Sequence, residues 1–365
     1  MSTPRAQGRG GVTRRVLIVG GGIVGASAAF HLARAGARVT LVDAGTPSAT
    51  AASFGWINAS FYLDEDHHRL RAEGLAAWHR LSSLLDLPLH WQGCLCWDAP
   101  PETLEAMHAT LSGLGYPVAR LTRAEIAARE PALADPPDLA LHFPAEGAAA
   151  SADIPARLLA AAQASGARLL RNIPVTGLLR DGETVTGVAT PFGDLAADEV
   201  LIAAGTGTPA LTGGAVPLKP RPAYILRTAP QPPLLAHILA SPIGEVRQEP
   251  DGRLLMPTSV SHQGDSAEAL TLSPVEAAGA AMMRLKALLP DLTGDWSEIL
   301  KADRPVPADD KPVIGRLGPG LTVATLHSGI TLGPLVGDLV ARDLLEGPDN
   351  ATAALLAPYR PDRFP

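Results

Sequence analysis

Residues 16–25 read VLIVGGGIVG, a short apolar run that passes directly into closely spaced glycines. An apolar run such as residues 16–19 is typical of a strand buried on both faces of a parallel sheet. The glycines that follow, Gly20, Gly22 and Gly25, have the spacing G-x-G-x-x-G. Where such a turn joins a strand to a helix, backbone N–H groups at the helix N-terminus can receive a phosphate. The stretch therefore predicts the first strand, turn and helix of a doubly wound α/β fold.

The residues after the glycine turn complete this unit. We predict a helix over residues 22–35 that ends at Gly36, and a second strand over residues 38–43. Asp43 ends that strand, where a carboxylate accepts the hydroxyl groups of a ribose. The same charge repels a 2′-phosphate, which disfavours NADP. A bound dinucleotide is thus predicted, but these residues alone do not separate NAD from FAD.

The composition limits the kind of protein. The chain has 365 residues, 46% of them hydrophobic and 18% charged, which is typical of a globular protein of about two domains. Its net charge of −7 argues against the basic surface that nucleic-acid binding requires, so no nucleic-acid partner is predicted. Its 2 cysteines are too few for a disulfide framework or a cysteine-rich zinc module.

Residues 16–33 are nearly free of charge and follow Arg14 and Arg15, as in a signal peptide or a membrane anchor. Glycines interrupt this run and a strand-like segment follows it directly, which argues against both interpretations. No other run approaches the ~20 apolar residues that a membrane span needs. We therefore predict a cytoplasmic protein without an integral membrane span.

The middle of the chain alternates between strand and turn signals. Residues 154–164 predict a helix, and residues 168–175 a strand after it. The turn signals at residues 181–182 and 192–194 predict a β-meander, which residues 199–204 follow as a further strand. Such an insertion is uncommon in NAD dehydrogenases.

The carboxy-terminal part predicts a second glycine-rich turn before a helix. Short strands are predicted over residues 312–315 and 321–325, and they lead into HSGITLGP at residues 327–334. Apolar residues from 335 to 344 recur at helical spacing, which predicts a helix with Pro334 just inside its start. A second helix N-terminus is therefore expected far from the first in sequence.

Three stretches together resemble a known family. The turn GGGIVG with Asp43, the segment ADEVLIAAGTGT at 197–208, and the tail from RPVPADDKPVIG at 304–315 to LHSGITLGPLVGDLVARDLL at 326–345 are similar to the FAD-dependent D-amino-acid oxidase family, which includes glycine oxidase and sarcosine oxidase. The resemblance covers nearly the whole chain and is weakest between about Gly74 and Ala150. It implies an α/β fold in which a Rossmann-like FAD-binding domain carries the meander, beside a substrate domain with a mixed or antiparallel sheet.

The resemblance also implies a discontinuous arrangement of the two domains. Residues 1–85, 145–215 and 302–365 are expected to form the FAD-binding domain. Residues 86–144 and 216–301 are expected to form the substrate domain.

The resemblance implies that FAD lies extended between the two glycine-rich turns. The backbone N–H groups of Gly329, Ile330 and Thr331 are expected at the flavin N1–C2=O edge, and the backbone of Val175 at the adenine. The helix dipole there would stabilise an anionic reduced flavin by ~0.3–2 kcal/mol. The residues expected to contact the cofactor are Gly20, Gly22, Ile23, Val24, Gly25, Asp43, Ala44, Ala51, Gly55, Trp56, Val175, Ala204, Gly205, Ser328, Gly329, Ile330 and Thr331.

Members of this family oxidise a C–N bond by hydride transfer from the substrate carbon to flavin N5. Arg304 matches an arginine that binds the substrate carboxylate in several members, a task for which a planar guanidinium is suited. The alternative is a surface arginine paired with a nearby aspartate. His327 occupies the position of a second substrate-binding group, and Arg247, on a strand predicted over 245–248, that of a substrate-contacting side chain. Tyr224 and Trp91 are candidates for an aromatic wall.

The implied function is FAD-dependent oxidation of an amino acid or a carboxylate-bearing amine. Oxygen or another electron acceptor would reoxidise the flavin. The sequence does not fix the oligomeric state, and it is compatible with an oligomer. Three alternatives remain: a 2-hydroxy-acid oxidoreductase of the same fold, a NAD-linked dehydrogenase, and a non-catalytic flavoprotein.

The remaining cysteine and histidine signals carry structural interpretations. Some members bind flavin through a cysteine just before the position of Arg304, but residues 300–303 contain none, so non-covalent FAD is predicted. Cys94 and Cys96 share one face of a predicted strand without a second pair at zinc-finger spacing, so no metal site is predicted. The pair His67-His68 is interpreted as part of a solvated helix start.

Overall fold

The computed structural model describes residues 14–260 and 270–364. The strands in this part of the chain are β1 (Arg15–Val19), β2 (Arg38–Asp43), β3 (Trp56–Ile57), β4 (Leu89–His90), β5 (Cys94–Cys96), β6 (Ala119–Thr122), β7 (Leu139–Phe143), β8 (Gly147–Ala149), β9 (Arg168–Arg171), β10 (Gly177–Asp181), β11 (Thr184–Ala189), β12 (Leu195–Ala196), β13 (Glu199–Ile202), β14 (Leu218–Lys219), β15 (Pro222–Thr228), β16 (Ile238–Ser241), β17 (Gly244–Gln248), β18 (Leu254–Pro257), β19 (Trp296–Asp303), β20 (Val306–Pro307), β21 (Val313–Gly318) and β22 (Leu321–Thr325).

The helices in the same residues are α1 (Ile23–Arg34), α2 (Glu65–Ser82), α3 (Pro101–Gly113), α4 (Arg123–Arg129), α5 (Ile154–Ala164), α6 (Thr208–Leu211), α7 (Pro274–Leu288), α8 (Gly329–Glu346) and α9 (Asn350–Leu356). Side chains cap several of them: Asp64 caps α2, and capping boxes join Thr122 to Glu125 at α4 and Ser273 to Glu276 at α7. Among the described residues, no helix combines the length and the apolar character that a bilayer crossing requires.

A six-stranded sheet in the order β21-β22-β13-β1-β2-β9 forms the first layer. β1 pairs in parallel with β2 and β13, while the edge strand β21 is antiparallel to β22. The unit β1–α1–β2 has the bounds predicted for it to within one residue, and α5 and β22 have their predicted bounds. The doubly wound α/β class is therefore confirmed.

Helix α1 lies between α5 and α8 and packs against both. Its buried residues are mostly small, including Ala26, Ala28 and Ala29, which lets the neighbouring helices approach closely. Gly36 follows the helix at φ +90°, as expected of its C-terminal cap. This packing brings the starts of α1 and α8 to the same edge of the sheet.

Strands β10, β11 and β12 form the predicted β-meander. Both of its turns contain glycine at positive φ, at Gly182 and at Gly193. The strand predicted over 168–175 is too long, because β9 ends at Arg171 and Val175 lies in the connection to the meander. That connection borders the site described below.

A second sheet has eight strands in the order β19-β15-β18-β17-β16-β5-β7-β6. β16 and β5 pair in parallel and the other neighbours pair antiparallel, so of the two predicted forms, mixed or antiparallel, the sheet has the mixed one. Helix α7 packs against β15 and β19. The strands of the eight-stranded sheet come from both stretches assigned to the substrate domain. The domain boundaries themselves stay a prediction.

Helix α8 begins earlier than predicted. Because it starts at Gly329, Pro334 lies inside the helix rather than at its first positions. Proline has no N–H to donate to the carbonyl four residues before it, here that of Ile330. The indole N–H of Trp78 from α2 donates to this carbonyl instead, at 2.9 Å.

Candidate active site

A long cavity of about 990 Å³ lies at the carboxyl ends of β1, β2 and β13. This is the edge of a parallel sheet at which ligands bind in doubly wound folds. The starts of α1 and α8 both open onto it. The predicted cofactor residues that line it are Gly20, Gly22, Ile23, Val24, Asp43, Ala44, Ala51, Val175, Ala204, Gly205, Gly329 and Ile330.

Two positions of the first turn require glycine for steric reasons. Gly20 has φ +109°, and a Cβ there would lie 2.3 Å from the Ala203 carbonyl oxygen. Gly25 is absent from the cavity wall, but a Cβ there would lie 2.0 Å from the Gly20 carbonyl oxygen. A side chain at either position would therefore push the turn, α1 and β13 apart.

Asp43 lies where it was predicted, and its carboxylate also organises the glycine turn. Its two oxygens accept the N–H groups of Gly21 and Gly45, at 2.7 and 2.8 Å. The Thr50 hydroxyl accepts the N–H of Ile23 at 3.2 Å, although Gly22 provides no side-chain cap for α1. Thr50 lies in a loop without periodicity, so the sequence carried no signal for this contact.

A second, smaller cavity of about 190 Å³ adjoins the first. Pro305, His327 and Ile330 line both cavities and so mark their junction. The predicted residues in its wall are Gly55, Trp56, Arg304, His327, Ser328, Ile330 and Thr331. Arg71 and Glu245 also line it, and the sequence analysis missed both.

Arg304 follows β19, and its stem is held by the backbone. Its backbone N–H and its Nε–H both donate to the Arg221 carbonyl, at 3.1 and 3.0 Å. The side chain is half-buried and lines the smaller cavity. This position is compatible with the predicted carboxylate contact.

His327 lies at the junction of the two cavities, where its remaining exposed surface faces into them. Burial, followed by the positive charges of Arg304 and Arg71, lowers the pKa of its imidazole to about 4. The imidazole is therefore neutral at physiological pH. It can donate one hydrogen bond and accept another, but it adds no charge to the site.

The face of α2 that points into the protein carries charged and titratable groups. Arg71 is 1% exposed, donates through Nε to the Asn58 carbonyl at 3.1 Å, and pairs with the Asn58 side chain through Nη2. His67 and His68 are also buried, so their interpretation as a solvated helix start is wrong. The signal was available: positions 67, 68 and 71 share a helical face with Leu75 and Trp78.

The structure places Arg247 behind the cavity wall. It lies on β17 as predicted, but its Nη2 pairs with Glu249 at 3.1 Å and its Nε donates to the Phe54 carbonyl. It thereby supports the loop before Gly55 instead of lining the smaller cavity, so the predicted substrate contact has no support in this geometry. Glu245, on the same strand, is the residue that faces the cavity.

Glu146 holds the loop that carries Trp56. Its carboxylate accepts the Trp56 indole N–H at 3.0 Å, the Tyr116 hydroxyl at 2.8 Å and the Ser60 N–H at 3.1 Å. Burial raises the pKa of Glu146 to about 7. Glu146 thus holds the indole of Trp56, a residue that lines the smaller cavity.

Two hydrogen bonds fix the start of α8, one from a side chain of α2 and one to the backbone just before the helix. The Ser328 hydroxyl accepts Arg71 Nη1–H at 2.6 Å. The N–H of Gly329 donates to the His327 carbonyl at 2.8 Å. That N–H was predicted to face a flavin edge, but here it is committed to the protein.

The remaining candidates lie away from both cavities. Tyr224 alternates with Ala223 and Ile225 on β15, so it faces a separate open groove while its neighbours line the smaller cavity. Trp91 stacks on His79 with 4.2 Å between the ring centroids. Neither forms the predicted aromatic wall. Within residues 14–260 and 270–364, no group of three or more His, Cys, Asp or Glu side chains is placed to hold a metal ion.

The doubly wound sheet, its glycine turn and the cavity at the carboxyl ends of the strands are typical of a dinucleotide-binding protein, here with a second cavity beside the first. Residues 15–342 match the family model DAO, described as FAD dependent oxidoreductase. The chain belongs to this family of FAD-dependent oxidoreductases, which excludes the NAD-linked alternative.

Individual relatives match over almost their whole length. Glycine oxidase from Geobacillus kaustophilus (strain HTA426) is 29% identical over 370 residues, which cover 94% of this chain and 95% of that protein. The crystal structure of glycine oxidase from Geobacillus kaustophilus has a TM-score of 0.83 and covers 95% of this chain and 98% of its own, at 28% identity. The crystal structure of iminodiacetate oxidase from Chelativorans sp. BNC1 has a TM-score of 0.81 at 26% identity. The match covers 95% of this chain and 99% of that one.

The residues of the long cavity fit FAD. The turn at Gly20 and Gly22 presents bare backbone beside the start of α1, as a pyrophosphate requires. Asp43 lies beside it for a ribose, and Val175 lies farther along the wall. The cavity extends to Ile330 at the start of α8, where it meets the smaller cavity. An extended cofactor held there would place its reactive end beside Arg304 and His327.

Proposed function

We propose that this protein oxidises the C–N bond of an amino acid or another small carboxylate-bearing amine with bound FAD. The observation that carries the proposal is Arg304, which lines a small cavity directly beside the cofactor cavity. Two relatives are named for enzymes that act on glycine and on iminodiacetate, both of which carry a carboxylate and an amine.

The side chains of the smaller cavity suit a substrate of this class. Bound FAD supplies the redox chemistry, in which the carbon next to the nitrogen loses a hydride equivalent. The guanidinium of Arg304 would fix the carboxylate, and thereby the position of that carbon. The reaction needs a neutral amine. The positive charges of Arg71 and Arg304 favour this form, because a nearby cation lowers the pKa of a bound ammonium group.

Arg304→Leu tests the carboxylate contact. Losing a charge-assisted hydrogen-bonded pair should raise KM for carboxylate-bearing amines about 10- to 100-fold. The measurement is steady-state oxidation under identical flavin loading. Arg120→Leu, which removes an exposed arginine paired with Glu105, is the matched control and should leave KM unchanged. An unchanged KM in the Arg304 variant would remove this residue from the site.

An anaerobic screen separates the proposal from its alternatives. Amino acids and N-methyl amines should bleach the flavin absorbance, whereas 2-hydroxy acids should not. Bleaching by 2-hydroxy acids alone would identify the C–O oxidoreductase, and bleaching by none of these compounds the non-catalytic flavoprotein. Oxygen or another acceptor that reoxidises the flavin, and the cytoplasmic location, stay predictions.

A further inference from the structure

Glu146 is a buried carboxylate whose two oxygens accept hydrogen bonds from different parts of one loop. Its Oε1 accepts the Tyr116 hydroxyl at 2.8 Å and the backbone N–H groups of Ser60 and Ala59 at 3.1 and 3.3 Å. Its Oε2 accepts the indole N–H of Trp56 at 3.0 Å. One oxygen therefore holds the backbone of the loop, and the other orients the ring.

The same loop carries Asn58, which connects two helices of the site. Its carbonyl and its side chain accept hydrogen bonds from Arg71 of α2, and its backbone N–H donates to the Thr331 hydroxyl of α8 at 3.3 Å. These three residues and Trp56 line the smaller cavity. The bonds of Glu146 therefore bear on an aromatic ring and on a buried cation in the wall of that cavity.

From these contacts we propose that Glu146 is a positioning residue for the substrate, and that its ionised carboxylate orients Trp56 in the wall of the smaller cavity. The inference rests on the proposed function and adds a residue that controls substrate binding without touching the substrate. A protonated carboxyl group carries an O–H on one of its oxygens. Oε2 is the oxygen for this proton, because it accepts one of the four donors and Oε1 accepts three. Protonation therefore loosens the hold on the indole and leaves the loop backbone in place.

The charge of Glu146 changes within the physiological pH range, because burial raises its pKa to about 7. The titratable groups around this carboxylate are Arg71 and His68 of α2, Tyr116 after α3, and Cys94 and Cys96 of β5. Burial lowers the pKa of His68 from 6.5 and that of Arg71 to about 10, and it raises the pKa of the phenol and of both thiols. None of these five groups changes its charge between pH 6.5 and 8.5. Substrate binding should therefore weaken over this range as the pH falls and Glu146 takes up a proton.

Titration of the FAD-loaded protein with propanoate tests this role without turnover. Propanoate has the carboxylate but no amine to oxidise, and the flavin absorbance spectrum reports its binding. One hydrogen bond of about 1 kcal/mol corresponds to about fivefold in affinity between the ionised and the protonated protein. With a pKa of about 7, the wild type should bind propanoate about threefold more weakly at pH 6.5 than at pH 8.5.

Glu146→Gln removes the bond to the indole selectively. Its amide oxygen can serve the three donors at Oε1, so its amide nitrogen opposes the indole N–H of Trp56. This variant should bind propanoate equally at both pH values, about fivefold more weakly than the wild type at pH 8.5.

Two matched variants separate the two oxygens of Glu146. Trp56→Phe removes the donor to Oε2 and should also bind propanoate without pH dependence. Tyr116→Phe removes a donor to Oε1 that favours the ionised form, so it raises the pKa of Glu146 further. Its pH dependence should persist with a midpoint at higher pH. If Glu146 had a structural role alone, Glu146→Gln would lower Tm and keep the pH dependence of the wild type.

Indole fluorescence provides a second measurement that needs no ligand. The emission of Trp56 is the difference between wild type and Trp56→Phe, and it should change with a midpoint near pH 7. The same difference, taken in a Glu146→Gln background, should be independent of pH. A pH dependence that survives in Glu146→Gln by either measurement would overturn the inference. So would a wild type that binds propanoate equally at both pH values or not at all. If no amine bleached the flavin, the proposed function would fail instead, and both measurements would still decide the role of Glu146.

Discussion

The buried imidazoles of His67 and His327 make the protein sensitive to acid. Burial lowers their pKa values from 6.5 to about 3 and about 4. Between these values and pH 6.5 the unfolded chain binds protons that the folded chain does not. The free energy of unfolding therefore falls as the pH drops below 6.5. Each of the two histidines contributes about 1.4 kcal/mol per pH unit to this fall. Glu146 acts in the opposite direction between about pH 7 and 4.5, because its pKa is raised.

His67→Gln should flatten this dependence. Its Nδ1 accepts the Leu63 N–H at 3.1 Å, which a glutamine oxygen can also accept. Removing one such titration should reduce the fall of Tm between pH 6.5 and 4.5 by about 2 °C per pH unit, given ~2.1 cal/mol/K of unfolding entropy per residue. Calorimetric scans of wild type and variant across this range provide the comparison, with His79→Gln as the control at an exposed position. Parallel pH curves for wild type and His67→Gln would show that His67 does not titrate as the structure indicates.

Single residues were predictable where a backbone constraint selects them. Gly20 and Asp43 belong to a local pattern whose spacing is set by one turn and one strand. Arg71 and Glu245 belong to no such pattern, because they reach the site through α2 and β17, whose placement depends on distant packing. Arg247 shows the same difficulty. The sequence correctly predicted the strand on which it lies, but not which side chain of that strand faces the cavity.

At the level of elements, α8 depends on a hydrogen bond from another helix. Trp78 is fully buried, and its indole N–H satisfies the Ile330 carbonyl that Pro334 leaves without an intrahelical donor. Trp78→Phe should destabilise the protein by about 1–3 kcal/mol, since a buried carbonyl loses its donor. The cost should be smaller by about 1 kcal/mol in a Pro334→Ala background, where residue 334 has an N–H. Thermal unfolding of the four proteins measures this coupling, and an identical cost in both backgrounds would contradict it.

The contact between α1 and the glycine turn leads to a second prediction for an element. A Cβ at Gly25 would lie 2.0 Å from the Gly20 carbonyl oxygen, whereas one at Gly279 in α7 meets no atom within 4 Å. Gly25→Ala should therefore lower both Tm and the flavin content of the purified protein. Gly279→Ala should leave the flavin content unchanged and stabilise the protein by about 0.5–1 kcal/mol. The ratio of flavin to protein absorbance and Tm are the two readouts. Equal flavin content in both variants would show that close packing at Gly25 is not needed for binding.

Elements were easiest to predict where sequence neighbours are also neighbours in space. The unit β1–α1–β2 and the meander are local, and their turns carry glycine signals. The predicted start of α8 was wrong because Pro334 is typical of a helix N-terminus. Inside the helix, Trp78 of α2 replaces the hydrogen bond that the proline cannot donate. The order of the eight-stranded sheet joins β5 to β16 across more than a hundred residues, which no local pattern specifies.

For the molecule as a whole, the cofactor cavity connects segments that lie far apart in sequence. Its wall contains residues from the first glycine turn, from the connection after β9 and from the start of α8. A ligand that binds these segments binds the folded chain and not the unfolded one. Cofactor binding should therefore be linked to global stability by mass action.

Two measurements on the intact protein test this linkage and the non-covalent nature of the cofactor. The chain has 2 cysteines, Cys94 and Cys96; both are buried in β5, and neither lines either cavity. Acid precipitation should thus leave a colourless pellet and all the flavin in the supernatant. Adding free FAD at about 100 times its Kd should stabilise the protein by about 2.7 kcal/mol, which corresponds to a rise in Tm of about 3.5 °C for a chain of this length. A yellow pellet would show a covalent bond through another side chain, and a Tm independent of added FAD would show that the cavity does not hold the segments together.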